Sequence, residues 1–387
     1  MTLRDFSYRA TELHPSKIRD VAELGMGDPA VIPLWFGEAA WRSPALAIEA
    51  AKTSLDLDPT HYQPNSGHPA LRESIAGYLS HLHRISVPAA RITVTASGMQ
   101  GLVLAAQTLV EPGDRVVMIT PDWPNIGAAF AIAGAEVAKV SLQVDQGRWS
   151  LDLGRLIEAL TPQTRCLMIN SPNNPTGWTL SADDRNKVVE HCRRHGIWIV
   201  ADEVYNRLYR HGEAAPSFIE IAEPGDRIIG INSFSKTFAM TGWRLGWMVT
   251  PPELEAPLAM LTEFNIAGAP PFVQAAGVSV LDQGRSFIDE QRQKLADGYA
   301  LVAARLSAMH RVEFIEPDGA FYAFFRIDGL SDSLSTAKDI LAKTKVGLAP
   351  GIAFGNQGEG YLRLCFAQPV DALQTAMDRL EDYFVSA

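Results

Sequence analysis

Residues 228–247 read IIGINSFSKTFAMTGWRLGW. The apolar, β-branched run Ile228 to Asn232 is too short for a helix and reads as a buried strand. It ends in SFSK, where Ser233, Ser235 and Lys236 stand together and Arg244 follows eight positions after the lysine. Hydroxyls and a guanidinium in one cluster suit a phosphate dianion. Three other apolar runs end alike: Ile92 to Thr95 in ASGMQ, Cys166 to Asn170 in SPNNPTG, and Ile197 to Ala201 in DEVY. With Val116 to Thr120 they make five short strands spaced by helical stretches such as Leu102 to Val110 and Ala182 to His195, the rhythm of a mainly parallel sheet. Open parallel sheets gather ligands in the crevice beyond the carboxyl ends of their strands. Taken singly the features are modest, since Asp202 suits a helix cap, NNPTG is a turn by composition and a lone lysine is usually solvated. Strand formation needs none of them at one edge, whereas a common site needs all of them.

Working outward, the texture changes past about residue 285. A long charged helix precedes GAFYAFFRI, whose alternation predicts a partly exposed strand, then another helix, a strand over Tyr361 to Ala367, and an amphipathic helix from Asp371 to Phe384. The expectation is an α/β protein with a large domain over 46–285 and a smaller α/β domain formed by both chain ends, 1–45 and 286–387. A chain of 387 residues, 47% hydrophobic, has the material for two such cores. Against 34 Lys and Arg stand 44 Asp and Glu, a net charge of −10 that opposes nucleic acid and anionic membranes. The three cysteines have no CxxC spacing, so neither a disulfide framework nor a metal site is expected. The polar N-terminus and the absence of a long apolar run suggest a cytoplasmic protein. No GxGxxG follows any strand, which disfavours nicotinamide chemistry.

The ordered set FGE, HYQPNSGHPALRESIAGYL, VTASGMQ, SPNNPTG, ADEVY, SFSKTFAMTGWRLGW, APGIAFG and GYLRLCFA resembles the fold type I pyridoxal-phosphate enzymes. Within them it is similar to the class I and II aminotransferases, aspartate aminotransferase among them, and the likeness covers nearly the whole chain. It implies a large domain with a central sheet flanked by helices, and pyridoxal 5′-phosphate held as a Schiff base on Lys236. The freed lysine then acts as the base that shuttles a proton at the substrate Cα. Asp202 corresponds to the carboxylate that pairs with the pyridine nitrogen, and Tyr205 and Asn174 to groups that contact the ring 3-oxygen. Ser97, Gly98, Met99, Ser233, Ser235 and Arg244 correspond to the phosphate cradle, with backbone N–H groups at a helix N-terminus. Trp123 matches the aromatic that stacks on the ring, a large core aromatic being the alternative. Tyr62 matches a residue that reaches the neighbouring site of a homodimer. Arg363 matches the clamp on the substrate α-carboxylate, aided by Asn174 and Gly37. A guanidinium within an apolar strand is costly unless paired, so it serves either a substrate or a structural ion pair.

The implied activity is ping-pong transfer of an amino group between an L-amino acid and a 2-oxo acid, with 2-oxoglutarate as one partner. A lyase of the same fold, working by β-elimination, is the alternative. Met99 is a departure: some aspartate-preferring relatives carry a lysine there that recognises a second carboxylate. An apolar or aromatic substrate side chain, or a different cation for that carboxylate, follows.

Overall fold

The computed structural model describes residues 7, 11 and 13–386, apart from 58 and 224; half of the polar N-terminal stretch 1–20 lies outside them. Seven strands form the central sheet: β1 (Ile92–Thr95), β2 (Arg115–Thr120), β3 (Glu136–Ser141), β4 (Thr164–Asn170), β5 (Trp198–Asp202), β6 (Ile228–Ser233) and β7 (Gly246–Val249). Their order is β1-β7-β6-β5-β4-β2-β3. The run from β6 to β3 is parallel throughout, while β7 lies antiparallel to both β1 and β6. The sheet is therefore mixed and mostly parallel.

Residue alternation along these strands sends side chains to two buried faces. Val116, Met118, Met168 and Ile231 pack against helices Gly98–Leu109 and Pro124–Ala133, whereas Val117, Ile119, Leu167 and Ile199 face helix Ala182–His195 and the second sheet. Burial on both faces is why the strands carry unbroken apolar runs. Two details of the sequence reading change. Helix Gly98–Leu109 begins four residues before Leu102, at the glycine that follows the Ser97 cap. Among the described residues between β5 and β6 there is no α-helix, only the short 3-10 turns Asn206–Leu208 and Phe218–Glu220.

The second sheet contains β8 (Val312–Glu313), β9 (Tyr322–Ile327), β10 (Ala349–Pro350) and β11 (Tyr361–Cys365), antiparallel in the order β8-β9-β11-β10. The expectation that GAFYAFFRI is partly exposed fails, since β9 is buried at every position but Arg326. As an interior strand it is covered on one face by Trp149, Phe354 and Tyr361, while its Tyr322 meets Tyr205 across the sheets. One hydrophobic cluster joins both sheets. We propose domain limits at 45 and 285. Helix Arg285–Ala308 starts there, and Ile32–Pro33 near the N-terminal end pairs with Val346–Gly347 of the C-terminal part.

The central sheet aims the N-terminus of helix Gly98–Leu109 by a close backbone approach. A Cβ at Gly246 on β7 would stand 2.7 Å from both the Gly98 nitrogen and the Asn232 oxygen, closer than such atoms pack. Neither obstacle is a flexible side chain that can turn away. Gly246→Ala is expected to lower stability by about 2 kcal/mol through forced backbone displacement, read by denaturant unfolding of the full chain.

Candidate active site

The carboxyl edges of β4, β5 and β6 face β9 and β11 across a cavity of about 440 Å³. Lys236, Asp202, Tyr205, Asn174, Gly98, Met99, Trp123, Ser233, Ser235, Arg244, Gly37 and Arg363 all line it. Twelve positions chosen from motifs more than 300 residues apart thus share one hollow. Two chosen positions do not line it. The Ser97 hydroxyl faces its own helix and accepts the Gln100 N–H at 3.1 Å, serving as N-cap. Tyr62 is 90% exposed, beside a separate surface hollow that includes His61, Pro270 and Phe272.

Lys236 is half-buried in the short helix Phe234–Thr237 that follows β6, and its Nζ donates to the Gly37 carbonyl at 2.5 Å. Burial, which penalises the ammonium, brings its pKa down from 10.5 to about 8; the neighbouring Arg363 acts in the same direction. The amine is thus within reach of its neutral, nucleophilic form near neutral pH. Gly37 is needed for this contact, because a Cβ there would fall 1.9 Å from the Tyr322 hydroxyl.

Asp202 ends β5, 3% exposed, with Oδ1 accepting the Val204 N–H at 3.2 Å. Among the described residues no cation comes within ion-pair distance of it. Burial raises its pKa from 3.8 to about 7, only partly opposed by the Val204 N–H and the Lys236 charge. Arg363 on β11 is the converse, a guanidinium 2% exposed with no carboxylate partner among the described residues. It donates to Asn174 Oδ1 at 2.8 Å and to the Trp35 carbonyl, lies 4.5 Å over the Tyr322 ring, and keeps its Nε without an acceptor. The structural ion pair that sequence reading left open is not there.

The NNPTG turn divides its labour. Asn173 Oδ1 accepts from Thr176 N–H and hydroxyl, closing the turn, while Asn174 faces the cavity. Asn170, the last residue of β4, accepts the Asn174 N–H at 2.8 Å and donates to the Asp202 carbonyl at 3.1 Å. Sequence reading named Asn170 only as a strand end; its amide in fact couples two site segments. Tyr322 was also overlooked, and its hydroxyl lies 2.7 Å from that of Tyr205. A phenol inside the apolar run GAFYAFFRI was the available signal, since a buried tyrosine O–H needs a partner. Phe36, Glu38, Thr241, Ile18, Arg19, Leu102 and Val204 complete the lining around these groups.

At the phosphate-like end, Gly98 and Met99 occupy the first turn of their helix, where N–H groups have no intrahelical acceptor and the dipole is positive. The Ser233 hydroxyl donates to Ser235 Oγ at 2.9 Å, and Arg244 has no ion-pair partner among the described residues. A phosphorylated pyridine aldehyde fits this set. Asp202 lacks a cation, Arg244 and the helix end lack an anion, and Lys236 offers a perturbed amine between them. Such a fold and such a site define the pyridoxal-phosphate-dependent aminotransferases of fold type I.

Residues 36–380 match the model of the family described as aminotransferase class I and II, and the chain belongs to that family. It is 35% identical over 370 residues to an aspartate aminotransferase of Pyrococcus horikoshii, covering 95% of this chain and 94% of that protein. It is 33% identical to aromatic-amino-acid aminotransferase 2 of Thermococcus litoralis, covering 97% of each. The structure of a Thermus thermophilus aspartate aminotransferase with maleate superposes with a TM-score of 0.91 at 28% identity, over 97% of this chain and 99% of that one. The protein is an aminotransferase that depends on pyridoxal phosphate; these relatives do not favour the lyase alternative. Among the described residues no helix is long and apolar enough to cross a membrane.

The unpaired carboxylate has a consequence for stability. A carboxyl whose folded pKa is raised holds its proton more tightly in the folded state, so stability falls as pH rises from about 4 through about 7. Asp202→Asn keeps the oxygen that accepts from Val204 and removes the charge. The cofactor-free variant is expected to be more stable than its parent by about 2–4 kcal/mol at pH 8. Near pH 4 the two should converge; thermal unfolding at both pH values checks this.

Proposed function

We propose that the protein transfers an amino group between an L-amino acid and a 2-oxo acid, with 2-oxoglutarate as one acceptor, by ping-pong turnover at this single cavity. The observation that carries the reading is the pairing of vacancies: a buried carboxylate without a cation and a buried guanidinium without an anion flank one perturbed lysine. Pyridoxal phosphate, when bound, supplies the electron sink that stabilises negative charge at the substrate Cα.

The chain's own groups do the rest. Asp202, buried and otherwise unpaired, holds a proton on the ring nitrogen. Tyr205 and Asn174 face the ring oxygen; burial holds the Tyr205 phenol well above its ordinary pKa, so it stays a donor. Gly98, Met99, Ser233, Ser235 and Arg244 take the phosphate, Ser97 contributing as the cap that fixes the helix end. Trp123, half-buried at the start of helix Pro124–Ala133, covers the ring face. Lys236 is the covalent anchor, and once released its Nζ moves the proton at the substrate Cα. Arg363 clamps the α-carboxylate with Nε and the terminal nitrogens, held in the plane by Asn174 and the Tyr322 ring, while Gly37 contributes its carbonyl as the lysine's partner. Both half-reactions use the same clamp, so donor and acceptor exclude each other.

Ile18, Phe36, Met99, Leu102 and Trp123 give the cavity apolar wall, which suits an apolar or aromatic donor side chain. A homodimer is supported by the exposure of Tyr62 together with Phe264, 89% exposed, and Met260, 58% exposed. Tyr62 would then reach the neighbouring phosphate. Three buried free cysteines suit a reducing, cytoplasmic compartment.

Lys236→Ala is expected to abolish turnover while leaving a folded chain, because among the described residues the side chain's one hydrogen bond is to a carbonyl at the cavity edge. In the parent, borohydride reduction followed by peptide mapping should place the label on Lys236 alone. Label on another side chain, or turnover near normal in the variant, contradicts the assignment. An amino-donor screen against 2-oxo acids identifies the substrates; amine release without consumption of a 2-oxo acid would restore the lyase reading.

A further inference from the structure

Helix Arg285–Ala308 carries a buried stripe made of Ile288, Gln291, Leu295, Gly298, Val302 and Leu306. Gln291 is the one polar side chain in that stripe, and it is 2% exposed. A buried amide costs free energy unless its donors and its acceptor are met. Here they are. Nε2 donates to the Lys236 carbonyl at 2.8 Å and to the Thr237 carbonyl at 2.9 Å, while Oε1 accepts the Trp41 indole N–H at 3.1 Å.

All three partners belong to the surroundings of Lys236. The helix Phe234–Thr237 has only four residues, so its last carbonyls have no donor within the helix. Gln291 supplies donors to two of them from another element. Trp41 belongs to the segment whose Gly37 carbonyl takes the Lys236 Nζ. The lysine is therefore held to that segment at both ends, at its amine through Gly37 and at its backbone through Gln291 and Trp41. Ser43 stitches the same segment to the turn beyond the lysine, donating to the Ala239 carbonyl and accepting the Trp243 indole N–H, each at 2.9 Å. Among the described side chains, only Gln291 bonds the lysine's own carbonyl. Its place along the helix adds to this. Ile288, one turn earlier, packs in the cluster that contains Phe234 and Phe238, whereas Leu295, one turn later, packs in the cluster that joins both sheets. Gln291 stands where the helix passes from one to the other, and fixes Lys236 relative to both.

We propose that Gln291 is a positioning residue for aminotransfer: it fixes the peptide of Lys236 so that the released Nζ meets the substrate Cα. The inference rests on the role proposed for Lys236 and adds the residue that sets its reach. Gln291 touches neither substrate nor cofactor. It acts through the lysine's backbone, and a displacement of about 1 Å in a reacting group is enough to lose about 100-fold in rate.

The test uses Gln291→Met, Gln291→Glu and Trp41→Phe in the full-length, cofactor-loaded protein, with L-glutamate, the amino product of the proposed acceptor, as donor in a single half-reaction. Gln291→Met keeps the length of the side chain and removes every polar contact. Its half-reaction rate constant, read from the absorbance of the bound cofactor, is expected to fall about 10- to 100-fold. The half-saturating L-glutamate concentration should stay within about threefold of the parent, because Arg363 and Asn174 are untouched. Gln291→Glu keeps an acceptor for Trp41 but sets a carboxylate against two carbonyl oxygens, and its rate should fall at least as far. Trp41→Phe leaves both amide donors in place and should lose about threefold in rate. With the two carbonyls bare behind the lysine, the pH midpoint of the lysine-bound cofactor's absorbance should rise by about half a unit in Gln291→Met, which a general loosening of the fold does not produce. A parent-like rate in Gln291→Met, or in Trp41→Phe should the former not fold, overturns the proposal. A lower rate with an unmoved midpoint, or one matched by an equal rise in the half-saturating concentration, overturns it as well. Borohydride label on a residue other than Lys236 in the parent, or a parent inert to L-glutamate, removes the underlying reading itself.

Discussion

A protein interior does not tolerate a bare charge, and this one holds two of opposite sign that do not neutralise each other. Asp202 and Arg363 line the same cavity, yet each is left without an ion-pair partner among the described residues. Leaving either uncompensated costs several kcal/mol or so in an interior site. The fold holds them there by dividing the task between two sheets. The parallel sheet presents Asp202 at the end of β5, and the antiparallel sheet presents Arg363 from the middle of β11. Neutral dipoles hold them in place: Val204 N–H on the carboxylate, Asn174 Oδ1 and the Trp35 carbonyl on the guanidinium. Each charge keeps bonding capacity for a ligand.

Lys236 is read most simply in that setting. Its ammonium meets the same desolvation, and an amine, unlike a guanidinium, can respond by releasing its proton. The result is a pKa near 8 where an exposed lysine has about 10.5. Two of the charges thus respond differently in one cavity: Asp202 becomes protonatable near neutral pH, and Lys236 becomes a usable nucleophile. Asn170 and Tyr322 make this a connected arrangement. Asn170 links the Asp202 segment to Asn174, and Tyr322 lies under Arg363 while its hydroxyl meets Tyr205 and its position excludes any side chain at residue 37.

Much of this was legible in the amino-acid sequence, for physical reasons that differ by element. The five strands named there are buried on both faces, so their apolar runs are unbroken, and Ile92–Thr95 and helix Ala182–His195 have the same limits in the structure. Chemistry placed just after each run is local in sequence, and SFSK, DEVY and NNPTG therefore declare themselves. The antiparallel β7 went unnamed because its four residues, GWMV, lie within a motif read for chemistry. β9 was misjudged because period-two alternation reports polarity along a strand, not what the rest of the chain lays over it. Tyr322 and Asn170 were missed for a related reason: the partner that gives each its meaning lies in another segment.

The sequence alone determined the fold class and the family, and it singled out the lysine, carboxylate and arginine to which the proposed chemistry is assigned, because all of these are carried by residue type and local order. Only the tertiary structure decided that Arg363 has no carboxylate of its own and that Ser97 caps a helix instead of facing the cavity. Charge compensation and exposure depend on distances between segments hundreds of residues apart, and those are set by packing.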